Sequence, residues 1–471
     1  MKRYWLTILM ALALAGLAAY VYWVELPSEH SQTVSETREK KLLPFEEREI
    51  TGLTVRTESS DVVLAPDEGR TWKITAPIRA EADRREVDAL LRALVLGKVA
   101  RVVEEKAAAL APFGLEHPSV VLTVTAGSKQ ETLSLGDSGP ISSTLYAMRE
   151  SDRKILLTDL APKDFLNKTL LTFRKKEVLR VDQPQTERLR LTSPAGEIVL
   201  YRQETGGPEA QPTSAPMPDK KKWKILFPIE AKADLVEVRG LLLKLEDLKA
   251  LGFVDPGPQR DALLSKLTKP EVKITIHVAG ADQTVKLYQP DPTSGEAYAV
   301  TTSDAPIYRV SPAALKDFSK ELFTLQDKRL LGMDLDEIAI LAVKTRDQQY
   351  VLINQNGEWV LEDQPAETLN QEAADLFVSR VVNLPAELRV VKQAGPLAPY
   401  GLATPAAEFT ATAKDGKQRG RLLLGTSSGG LVYAIGQGLT GIFQARADLL
   451  TQIPAKTDLK AKERQVSGVS K

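Results

Sequence analysis

WKITAPIRAEADRREVDALLRALVL, residues 72–96, decides how the rest of the chain is read. Its first half alternates apolar and polar residues and stops at Pro77, the period of a half-buried strand. Its second half switches to helical spacing, with Val87, Leu90, Leu91 and Leu94 on one face. Between the two stands Asp83, with Glu86 three residues on, the pattern of a helix N-cap. A strand therefore runs into a capped amphipathic helix.

The unit does not stand alone. Trp72-Lys73-Ile74 with Pro77 recurs as Trp223-Lys224-Ile225 with Pro228, and as Trp359-Val360-Leu361 with Pro365. Tyr146-Ala147 recurs as Tyr298-Ala299 and Tyr433-Ala434, and Phe113-Gly114-Leu115-x-x-Pro118 as Tyr400-Gly401-Leu402-x-x-Pro405, with Leu267 and Pro270 kept between them. These landmarks hold an offset of 151 or 152 from first to second copy and 287, or 288 at Pro365, from first to third. One offset shared by independent landmarks defines three copies of one module.

The copies also share their elements. Asp234 and Glu237 precede Val238, Leu241, Leu242 and Leu245, and Asn370 precedes Ala374, Phe377, Val378 and Val381. Four short strands follow each helix, written VVLTVTA, ETLSLG, LYAMR and KILLTD in the first copy, and a short second helix closes the module. The tryptophan, leucine and tyrosine landmarks belong in the core, where large aromatics mostly pack. The fold expected is α+β: an N-terminal transmembrane helix, then three tandem strand-rich modules with antiparallel strands and one main Asp- or Asn-capped helix each. The boundaries read as anchor 1–25, juxtamembrane linker 26–42, modules 43–178, 179–334 and 335–458, and disordered tail 459–471. A flexible insertion, 203–222, rich in Pro, Gly, Ser and charge, interrupts the second module.

Residues 4–24 carry no charge and follow Lys2 and Arg3. At about 1.5 Å per residue they span a hydrocarbon core of roughly 30 Å. Tyr4, Trp5, Tyr20, Tyr22 and Trp23 suit its two interfaces. The positive end stays cytoplasmic and the body lies outside. A cleaved signal peptide ending near Gly16-Leu17-Ala18 is the rival, but the apolar run continues past it to Val24.

Sixty-two basic residues balance sixty-two acidic ones, so no global field attracts nucleic acid. The absence of cysteine removes disulfides, thiolate metal sites and cysteine nucleophiles. His30, His117 and His277 are the only histidines.

Three stretches nevertheless spell enzyme motifs. Gly136-Asp137-Ser138-Gly139-Pro140 resembles the surroundings of a protease serine, GTSSGG at 425–430 a nucleophile elbow, and GQGLTG at 436–441 a dinucleotide fingerprint. Register argues against all three. GQGLTG aligns with Arg149–Lys154 and Thr301–Pro306, each linking Tyr-Ala to a strand, whereas the fingerprint needs a helix next. No histidine follows GTSSGG, and the second copy places Pro290 at the register of Ser138. Gly136 to Gly139 is expected to be a turn. DLDEI at 334–338 reads as a turn lacking the oxygen array of a calcium loop, and KKK at 220–222 as a solvated run. No catalytic, cofactor or metal residue is assigned.

The anchor and spaced landmarks resemble the bacterial domain of unknown function 4340 (DUF4340) family. The resemblance covers most of 43–458, departing at Trp359-Val360-Leu361 and in the insertion. Members are often encoded beside ABC transporter components and proteins similar to those of gliding-motility systems. It implies a non-enzymatic, single-pass protein of the bacterial inner membrane, its body periplasmic. The expected role is an accessory or scaffold component of an ABC-type transport or gliding-motility-like assembly, with the bilayer contacted through residues 4–24, transport subunits as partners and no nucleic acid. The alternatives are an envelope glycan- or lipid-binding module and a serine hydrolase using Ser138.

Overall fold

The computed structural model describes residues 41–106, 109–141, 144–160, 163–204, 221–302, 304–417 and 419–461. The anchor expected at 4–24 and the linker up to residue 40 lie outside these residues. So do the middle of the insertion, 205–220, and the tail from 462. Among the described residues no helix is long and apolar enough to cross a membrane.

The first module is one antiparallel sheet of nine strands. In chain order these are β1 (Gly52–Thr57), β2 (Asp61–Pro66), β3 (Trp72–Ala76), β4 (Ala80–Glu81), β5 (Val99–Glu104), β6 (Val120–Ala126), β7 (Lys129–Ser138), β8 (Leu145–Arg149) and β9 (Lys154–Thr158). In space they run β4-β3-β2-β1-β6-β7-β8-β9-β5. The helix α1 (Arg84–Leu96) connects the two edges, from β4 to β5. The second sheet, between Thr186 and Val310, repeats this order with nine strands. The third, between Ile338 and Arg446, has eight and lacks the counterpart of β4, where the chain makes only an isolated bridge from Leu361 to Gln364.

Each helix lies where its pattern requires. Asp83 accepts from the backbone N–H groups of Arg85 and Glu86 at the start of α1, and Asp234 from those of Val236 and Glu237 at the start of α2 (Leu235–Glu246). Asn370 accepts from Ala373 before the third main helix (Gln371–Val382). Satisfying these orphan donors stabilises a helix by about 1 kcal/mol, so Asp83→Ala is expected to cost about that much by thermal denaturation. The apolar faces named from the sequence are all buried against their sheets.

Both ends of every module are tied to its helix. The Leu42 N–H donates to Gly97 O, Val178 to Leu248 and Leu330 to Leu384, at 3.1, 3.4 and 3.0 Å. On the other side Asp83, Asp234 and Asn370 donate to the carbonyls of Phe173, Leu325 and Leu459. This shifts two expected boundaries. Leu42, read as linker, is fully buried, and Leu459, read as the first tail residue, is buried too, with Ala461 bonded to Thr368 O. The insertion is also shorter than expected, because Gln203 pairs with Lys222 and Glu204 with Lys221 in the ladder.

A second, smaller core covers the opposite face of each sheet, and the sequence pattern did not separate it from the first. Leu115, Met148 and Ile155 form it in the first module, with Phe113 meeting Tyr146 edge-on at 5.1 Å. Leu402, Leu423 and Ile442 form it in the third, where Tyr400 meets Tyr433 at 5.1 Å. In the second, the helix Pro258–Lys266 takes the place of the 3-10 turn that carries Phe113 or Tyr400. The Tyr-Ala tyrosines are thus half-buried members of this small core, whereas Trp72, Trp223 and Trp359 sit in the main ones.

The chain divides into two compact units between Glu177 and Val178. The second unit holds two sheets, and its parts interlock: Phe323, from the segment that closes the second sheet, stacks on Phe443 of the third at 5.7 Å. The Arg389 guanidinium lies over both rings and donates to the buried Gln326.

Candidate functional site

The protease-like spelling is a structural device. Strand β7 does not end at Leu135 but continues to Ser138, which pairs with Leu145, and a bulge occupies Gly136-Asp137. The turn begins only at Gly139, whose N–H donates to Thr144 O. The expected four-residue turn is therefore displaced. The cause is the 3-10 turn Ala111–Phe113, which rests on the bulge so closely that a Cβ on Gly136 would overlap the Phe113 carbonyl oxygen. Asp137 lies against Gly114, and both Ser138 and His117 are exposed.

GTSSGG is the same device in the third module. Gly425 lies under the Tyr400 carbonyl as Gly136 lies under that of Phe113, and Thr426 meets Gly401 as Asp137 meets Gly114. Gly429 and Gly430, at φ of 62° and 80°, then form the two-residue turn between paired Ser428 and Leu431. GQGLTG leads from the strand Leu431–Gly436 into the strand Ile442–Arg446, so the helix N-terminus that would hold a phosphate is not next to it.

Two features read as bland turn out to meet. Asp334 of DLDEI caps the 3-10 turn Leu335–Glu337 and accepts from Lys222 Nζ at 2.8 Å, Lys232 Nζ at 3.3 Å and Arg329 Nη2 at 2.7 Å. Arg329 is held in turn by Asp327. Lys222, expected to be solvated, is thus part of the joint between the second and third sheets. Burial alone would raise the Asp334 carboxyl, but hydrogen bonds from Lys222 and Arg329 and the charges of Lys232 and Arg329 hold it far below the usual carboxylate range.

A large concavity lies wholly in the first module. It measures about 1230 Å³ and continues the helix-covered face of the sheet past the main core. The segment Lys41–Thr51, strand β5, and the hairpins β6–β7 and β8–β9 wall it. Glu131, near the start of β7, is buried in it and accepts from Ser151 Oγ at 2.7 Å and from the N–H groups of Ser151 and Thr132. Arg149 pairs with Asp152 at 3.2 Å, and Lys154 with Glu105 at 2.8 Å. Such a surface can orient charged and hydrogen-bonding groups of a ligand.

Register shows what the cavity replaces. The positions of Glu131 and Arg149 in the ladder are held by Gly420 and Gly436 in the third module. There the lead-in segment Leu330–Met333 lies directly on the sheet: a Cβ on Gly420 would come within 3.0 Å of Leu331 O, and one on Gly436 would overlap Leu330 O. In the second module the equivalent of Glu131 is Gln283, whose side chain accepts from Arg180 N–H of its own lead-in. Reading the three copies side by side at these positions would have exposed the difference.

The repeated sheets, capped helices and closures define a tandem-module α+β protein. The chain belongs to the family described as Domain of unknown function (DUF4340), which matches residues 72–266 and 223–390. Each matched stretch opens on a landmark tryptophan, Trp72 or Trp223. A search of curated proteins and one of solved structures each returned no match.

Proposed function

We propose that this chain is a non-enzymatic, membrane-anchored interaction protein of the bacterial envelope. It serves as an accessory or scaffold subunit of an ABC-type transport or gliding-motility-like assembly. The observation that carries the reading is the fate of the landmarks and enzyme-like spellings: in every copy they are used to build and close the module. What differs from copy to copy is surface, which suits a protein whose modules present distinct faces to partners. The apolar run 4–24 supports tethering at the inner membrane, with the body on the periplasmic side. Mild-detergent purification of the tagged full chain is expected to bring down integral membrane transport subunits. Recovery of the chain alone, across several detergents and crosslinkers, would overturn the reading.

A further inference from the structure

We propose that the cavity of the first module is a binding site for an extended polypeptide segment of a partner. Three observations carry this. First, the third module shows that extended chain can lie along this part of the sheet. In the third module the same two register positions are glycines, and the backbone of Leu330–Met333 lies on them. In the first module Glu131 and Arg149 stand there, the lead-in segment around Phe45 forms a wall, and among the described residues the space between is open. Second, the floor offers both signs of charge at fixed places. Glu131 is clamped by Ser151 and Thr132, and Arg149 by Asp152, so a ligand meets an acceptor and a donor already oriented. Third, β5 lies along the cavity as the edge of its sheet, six residues long where the corresponding edge strands have three and four. A peptide laid beside it gains main-chain hydrogen bonds, and its side chains reach the charged floor. The ligand is thus a polypeptide with an acidic and a basic side chain close together, rather than a glycan or a lipid.

This inference rests on the reading of the chain as an interaction protein and gives that reading a site. The test places a photo-crosslinking benzoylphenylalanine at Val102 of β5 in the full chain, in its native membrane, and maps adducts to the residue by mass spectrometry. Adducts are expected to concentrate in one short segment of one partner protein. They should fall at least five-fold when Glu131→Gln and Arg149→Gln are introduced together, and likewise with Ser128→Trp, an exposed hairpin position at the cavity rim. The rim variant leaves the buried floor untouched, so it separates loss of binding from loss of folding. Adducts only to lipid or glycan, only to this chain's own residues, or scattered over many proteins would overturn the proposal. So would adducts that persist in all the variants. If transport subunits still co-purify while the cavity yields no mapped segment, the site falls and the interaction role stands.

Discussion

Gly136→Ala is expected to destabilise the first module by about 2–3 kcal/mol, whereas Ser138→Ala changes stability by no more than about 0.5 kcal/mol. The contrast inverts what the GDSGP spelling suggests. Ser138 is exposed at the end of β7, and its hydroxyl is not needed for the Leu145 pairing. Gly136 is buried under the Phe113 carbonyl, and an added methyl has no room unless the 3-10 turn lifts away. Lifting it would also pull Phe113 from Tyr146 and open the small core. Calorimetry on the full chain should show the transition of this unit lowered by roughly 8 °C for the glycine variant. Gly425→Ala should act alike in the third module, where Tyr400 takes the part of Phe113. A Gly136→Ala protein as stable as wild type would refute the close-approach account.

Asp334→Asn is expected to cost about 2–3 kcal/mol in the second unit. Removing one partner of a buried ion pair typically costs 3–5 kcal/mol. The figure here is smaller because Lys222 and Lys232 remain partly in water, which screens the charges left behind. The neutral amide cannot satisfy three cations, and Arg329 keeps only Asp327. The pH dependence has a definite sign. The folded carboxyl titrates far below its unfolded value of about 3.9, so its contribution is fully present above that value and is lost as pH falls toward the folded one. Urea denaturation should therefore give a constant gap between wild type and variant from about pH 5 to pH 8, narrowing below about pH 4. A gap that widened in acid would contradict the assignment.

How much of this was legible in the sequence depends on how local each cause is. The caps at Asp83, Asp234 and Asn370 and the helix faces after them follow from neighbours within a few turns, and the repeat offsets locate the tryptophans. The bulge at Gly136 was not legible, because what demands glycine there is a carbonyl more than twenty residues earlier. The Asp334 joint unites Lys222 with a carboxylate 112 residues away, so each looked like an ordinary surface charge. The cavity was hidden for a different reason. Glu131 and Arg149 are unremarkable residues for strand ends, and only the glycines at the same register of the third copy reveal that a segment of chain is otherwise accommodated there.

The ties at the ends of each module also bear on the order in which the protein is made. A chain leaving the ribosome or a translocon presents its N-terminal residues first, and domains generally fold as they emerge. The first module can close once Phe173 is available to Asp83, and the second once Leu325 reaches Asp234. The third closes once Leu459 reaches Asn370, and as in the other two modules its tryptophan core stays open while about ninety further residues are synthesised. During that interval Phe323 and Arg389, which belong to the joint of the second unit, have no finished surface to dock on. A product truncated before Leu459 would therefore leave the Trp359 core unclosed and expose apolar surface to chaperones and proteases.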